Sequence, residues 1–101
     1  MVRTSGSIAS QRLGDVPDEK RFWCCDGRVF KNLSELGTAL SDMSDDVFSY
    51  HCNESRKDFA TWVRDVIGDS KLARDLSGSK SPSQAARRVA DRIEWLQARI
   101  K

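Results

Sequence analysis

Four large apolar residues, Phe59, Trp62, Val63 and Val66, constrain this chain more than any other feature of its sequence. They fall at i, i+3, i+4 and i+7, the spacing of one face of an amphipathic helix. A shorter half-stripe of Val47, Phe48 and His51 precedes them. Two such faces close together in sequence are expected to bury each other. The only histidine then lies at their seam, next to Asp58 at the start of the second helix. The stretch from Ser44 to Ala73 is therefore read as the centre around which the rest is arranged.

The segments on either side carry local signals. Residues 1–19 are rich in Ser, Gly and mixed charge, with no period of either kind, and read as a flexible arm. Arg21 to Lys31 reads as a β-hairpin around Asp26-Gly27, a pair suited to a two-residue type I′ turn. Asn32 followed by Glu35 forms a capping box, opening a helix with Leu33, Leu36, Leu40 and Met43 on its buried side. Ser44 starts a short helix with Asp45 and Asp46 in its first turn, where the helix dipole favours them. The next helix is expected from about Ser55 to Ile67, ending at Gly68. Asp69 caps a further short helix bearing Leu72, Ala73 and Leu76. Ser81-Pro82-Ser83-Gln84 opens the last one, with the cap, the proline at the first helical position and the box residue all in place. Along it Ala86, Val89, Ile93, Leu96 and Ile100 share one side.

The expected fold is thus mainly α with a minor α+β character. It has four or five short helices, an N-terminal β-hairpin and a disordered N-terminal arm, with residues 20–101 forming a single small helical domain. A chain of 101 residues suits one domain with a modest core. Its formal net charge of +2 is too small to indicate nucleic acid by itself. The charge is uneven, however: residues 21–53 hold three basic and five acidic side chains, net −2, and residues 76–101 hold six and two, net +4. No apolar run approaches the ~20 residues of a membrane span, and no signal peptide is recognisable. With three cysteines, an odd number, the reading is a cytoplasmic protein with reduced thiols.

One resemblance emerges at these positions. The series Phe22, Asp26-Gly27-Arg28-Val29, Glu35-Leu36, Ala39-Leu40, Met43-Ser44, Phe48, His51, Asp58-Phe59-Ala60, Trp62-Val63, Val66, Asp69 and Leu72-Ala73 resembles a small archaeal domain family of unknown function. It covers residues 22–76, and its more specific elements are Phe-x-x-His and Asp-Phe-x-x-Trp. In the family pattern an Asn often precedes Asp-Phe, where this chain has Lys57. The resemblance implies an archaeal-type origin and the mixed fold. It implies no reaction and carries over no catalytic residue.

Three constellations invite a chemical reading. His51 with Asp58 could be a base and its orienting carboxylate; without a nucleophile motif or oxyanion donors the pair reads as a structural polar link. Cys24, Cys25, His51 and Cys52 are zinc-type donors. Adjacent pairs diverge on a strand or helix, so the expectation is buried free thiols and no metal or other cofactor. On the last helix Arg88, Arg92, Trp95 and Arg99 gather on a flank beside the apolar stripe. Three guanidinium groups around an indole suit an acidic protein partner or a phosphate backbone. The functional expectation is a small non-enzymatic interaction or adaptor domain binding a protein partner through that flank, with nucleic-acid binding as the alternative. The apolar stripe spans only about two heptads, so a monomer is expected rather than a homodimer.

Overall fold

A computed structural model describes residues 6–100, and they are mainly helical. In chain order the elements are α1 (Gly6–Leu13), β1 (Phe22–Trp23), β2 (Val29–Phe30), α2 (Leu33–Ser41), α3 (Asp45–His51), α4 (Asp58–Trp62), α5 (Ser70–Ser77) and α6 (Pro82–Ile100). A short 3₁₀ turn at Asp18–Lys20 precedes the hairpin, and a π-helical turn at Val63–Ile67 continues α4.

The expected caps form these helices. Asn32 Oδ1 accepts the Glu35 amide at 2.8 Å, and Glu35 reaches back to the Lys31 amide at 3.0 Å. Ser44 caps α3 through the Val47 amide, Asp69 caps α5 through the Leu72 amide, and Ser81 caps α6 through the Gln84 amide. Each satisfies a donor that the first helical turn leaves free.

Long α6 packs along α2 and also carries α1 and α5, while α4 packs on α5. The α2–α6 contact is close: a Cβ at Gly37 would come within 3.1 Å of Val89 Cγ1. The hairpin closes the α4 side. Phe22 pairs with Phe30 across it, both buried, and Phe22 also stacks on Phe59 and meets Trp62 edge-on. Trp62 is anchored further by its indole N–H, which donates to the Lys20 carbonyl at 2.7 Å.

Several expectations are corrected. The flexible arm expected over residues 1–19 contains α1, whose Ala9 is fully buried; the first five residues lie outside the described ones. Small residues let α1 sit close to α6, with Gly6 facing the Arg99 carbonyl. The hairpin turn is not type I′. Asp26 keeps a negative φ and only Gly27 is left-handed, at +94°. The loop therefore holds three residues, Cys25 to Gly27, closed by the Gly27 amide on the Cys24 carbonyl and the Cys24 amide on the Arg28 carbonyl.

The helix expected from Ser55 starts at Asp58. Asn53 instead folds residues 53–56 into a turn, its Oδ1 accepting the Ser55 and Arg56 amides. Beyond Trp62 the backbone widens: the Gly68 amide bonds back to the Val63 carbonyl, five residues earlier. The extra residue in that turn moves the buried position from Val66 to Ile67, leaving Val66 half-buried. Val47 and Ile93, expected in the core, are also half-buried, and Ile100 is exposed.

Candidate functional site

His51 ends α3 and is 4% exposed. Its Nδ1 lies 2.9 Å from Asp58 Oδ2, and its Nε2 accepts the Cys25 amide at 3.0 Å. An acceptor at Nε2 and a carboxylate at Nδ1 together assign the neutral tautomer with the proton on Nδ1. The Arg56 guanidinium donates to the same Asp58 oxygen at 2.7 Å. Phe22 and Tyr50 pack edge-on against the imidazole, and Phe59 lies at a tilt 5.3 Å away. The expected pairing of His51 with Asp58 is present. Its further role was hidden in the sequence: the imidazole ties α3 to the hairpin loop as well as to α4. Both ring nitrogens are thereby engaged by the chain itself.

The cysteines lie differently from expectation. Cys24 closes the loop just past the end of β1 and Cys25 is the loop's first residue, so the two side chains need not diverge as they would on a strand. Their sulfurs and a His51 ring nitrogen lie within 4.8 Å of one another. Burial pushes the Cys24 thiol up to about 11, whereas Cys25 is exposed. Burial raises the Cys52 thiol as well; its Sγ faces the Leu76 and Ser79 carbonyls, away from this group. Asp26, next in the loop, accepts the Arg28 amide at 3.0 Å, and that bond holds its carboxyl below the usual range.

Around this seam the surface carries aromatic rings and charges of both signs. Trp23 is 72% exposed and Tyr50 is 52% exposed, with the Arg56 guanidinium 4.5 Å above the Tyr50 ring. An open recess of about 460 Å³ runs beside them, bordered by Arg21, Trp23, Arg56, Asp58, Thr61 and Asp65.

The arginine flank of α6 assembles as the helical spacing requires. Arg92 lies 4.3 Å and Arg99 3.8 Å from the Trp95 ring centre. Two of its three guanidinium groups are tied inward, however. Arg92 grips Asp69 with both arms, Nε to Oδ2 at 2.7 Å and Nη2 to Oδ1 at 3.0 Å, and Asp69 is fully buried. Arg88 donates to the Asp75 carbonyl and, at 3.1 Å, to Ser79 Oγ. Helical spacing located these arginines on one flank; it carried no information about acceptors up to 23 residues away.

Compared with known proteins, the chain matches no protein-family model, no curated protein and no solved structure. The class it can be given is the one its own fold defines: a small, mainly helical domain carrying a two-stranded antiparallel hairpin. Among the described residues no helix is long and apolar enough to cross a membrane.

Proposed function

We propose that this domain is a non-enzymatic interaction module that binds a protein partner through the hairpin surface centred on Trp23. One observation carries the reading: an indole 72% exposed on a strand whose other residue, Phe22, is buried in the aromatic core. An exposed ring on a rigid support loses little conformational entropy on binding, and Trp, Tyr and Arg dominate the energetics of protein interfaces. Arg56, whose guanidinium lies over the Tyr50 ring, borders the same recess as Trp23. The partner would offer an apolar cleft for the indole, rimmed by polar groups. His51, enclosed and bonded at both nitrogens, supports a non-catalytic reading.

The α6 flank is the second surface, and the observation favouring it is Arg88, whose two hydrogen bonds both go to neutral acceptors. Its charge, with that of Arg99, could serve an acidic partner or nucleic acid. Base stacking there is disfavoured because guanidinium groups already lie over the Trp95 ring. We take the chain to be monomeric, since α6 spends its apolar side on α1 and α2 of its own chain. Three free cysteines fit a reducing, cytoplasmic setting. The kinship with the archaeal domain family stands as part of the same proposal.

Immobilised wild-type, Trp23→Ala and Arg99→Ala proteins, each offered a native cell extract, test the choice of surface. The proposal expects a protein retained by wild type and Arg99→Ala, with retention falling at least ~10-fold in Trp23→Ala at an unchanged melting temperature. Equal retention by Trp23→Ala refutes it. Affinity for generic duplex DNA that falls steeply with salt and is lost in Arg99→Ala would establish the nucleic-acid alternative.

A further inference from the structure

The loop of the hairpin and the end of α3 bring together three soft-metal donors that lie far apart in sequence. We propose that Cys24 Sγ, Cys25 Sγ and His51 Nε2 form a three-donor site for a thiophilic divalent cation, zinc foremost, with its fourth coordination position open to solvent. The two sulfurs and a ring nitrogen of His51 lie within 4.8 Å of one another. With Zn–S near ~2.3 Å and Zn–N near ~2.0–2.1 Å, donors around a tetrahedral zinc stand about 3.5–3.8 Å apart. Closure therefore asks for movements of about 1 Å, and the Cys25 side chain is exposed and able to supply them.

The surroundings of the imidazole match what a ligating histidine requires. A metal-bound imidazole donates its other ring N–H to a carboxylate, which fixes the tautomer and raises the basicity of the ligating nitrogen. Here Nδ1 faces Asp58 Oδ2 at 2.9 Å, and Arg56 holds that oxygen from the other side at 2.7 Å. The Nε2 lone pair points at the loop carrying both thiols, because its present partner is the Cys25 amide. A cation would displace that amide hydrogen, a hydrogen bond lost in exchange for the metal–nitrogen bond. Phe22 and Phe59 against the ring provide the apolar shell behind the site.

Charge balances as well. Two thiolates and a neutral imidazole neutralise a divalent cation, and binding expels two thiol protons. Because the two thiols must lose their protons to bind, affinity should fall steeply as the solution is acidified. An open fourth position distinguishes this arrangement from closed structural zinc sites; water or a donor from a bound molecule would complete it. Cys52 takes no part, its sulfur being turned to the Leu76 and Ser79 carbonyls.

Titration of the reduced, metal-free full chain with cobalt(II), followed by zinc, tests the site. The proposal expects one cobalt per chain, bound with release of two protons and a thiolate-to-cobalt charge-transfer band, and zinc then displaces the cobalt and abolishes the band without further proton release. Cys25→Ser, at an exposed position, should lower zinc affinity by at least about tenfold with an unchanged circular dichroism spectrum. Cys52→Ser should bind as wild type does. The absence of the charge-transfer band in wild type overturns the proposal. So does a zinc affinity unchanged in Cys25→Ser, or a band that disappears in Cys52→Ser.

Discussion

His51 and Asp69 are both titratable side chains enclosed by the core, and the fold compensates them in different ways. Asp69 is answered by charge. Its two oxygens meet the two arms of Arg92 and one also accepts the Leu72 amide, so a single carboxylate caps α5 and pins it to α6. His51 is answered without net charge, by an amide on one side and a carboxylate on the other, under a cover of aromatic rings. The first cluster is closed: fork and carboxylate match, and α6 spends an arginine that looks available for binding. The second has spare capacity, with two thiols and an exposed indole at its edge. If the proposed function holds, architecture and recognition divide between the two regions, in the opposite sense from that suggested by the arginine count of α6.

Removing the aromatic support of the His51 region should have the largest effect. Trp62→Ala truncates a buried indole and orphans the Lys20 carbonyl, and should cost about 3–5 kcal/mol in urea denaturation. An unchanged midpoint would contradict its place in the core. Arg92→Met should cost a comparable ~3–5 kcal/mol, because it leaves the Asp69 carboxylate buried and unpaired. Adding Asp69→Asn should recover most of that loss, since Asn can still cap α5 and no isolated charge remains. A double mutant no better than Arg92→Met would show that the two side chains are not coupled.

His51→Phe should cost less, about 1–3 kcal/mol, the penalty of leaving the Cys25 amide without its acceptor at a half-exposed loop. Amide hydrogen exchange at Cys25 in the variant checks it; unchanged protection would mean that another acceptor serves that amide. The smallest effect concerns thiol chemistry alone. Cys25 should be alkylated at least ~10-fold faster than Cys24 at neutral pH, because Cys24 is buried and held as the thiol. Peptide mapping after brief iodoacetamide treatment would reveal equal labelling if the loop were open.

What the sequence made legible was local. Asn32 with Glu35, Ser44, Asp69 and Ser81-Pro82 each act within a few residues of themselves, so the starts of α2, α3, α5 and α6 could be read directly. The pairing of His51 with Asp58, seven residues apart, was readable for the same reason. Misreadings arose where distant packing overrides a local pattern. Gly6–Leu13 has too few large apolar residues to announce a helix, and its burial depends on the far end of α6. The π turn slipped the stripe from Val66 to Ile67, because periodicity assumes the same number of residues in every turn. Asp-Gly suits more than one hairpin loop, and the choice of a three-residue loop is what took Cys25 out of the strand pairing and brought its amide to His51.

The protonation state of one imidazole tests this division most directly. As the only histidine in the chain, His51 can be observed unambiguously in a long-range proton–nitrogen correlation spectrum of nitrogen-labelled protein at mildly alkaline pH. The account predicts the Nδ1–H tautomer, with Nε2 unprotonated and accepting the Cys25 amide. A spectrum showing the Nε2–H tautomer, or rapid exchange between the two, would contradict it.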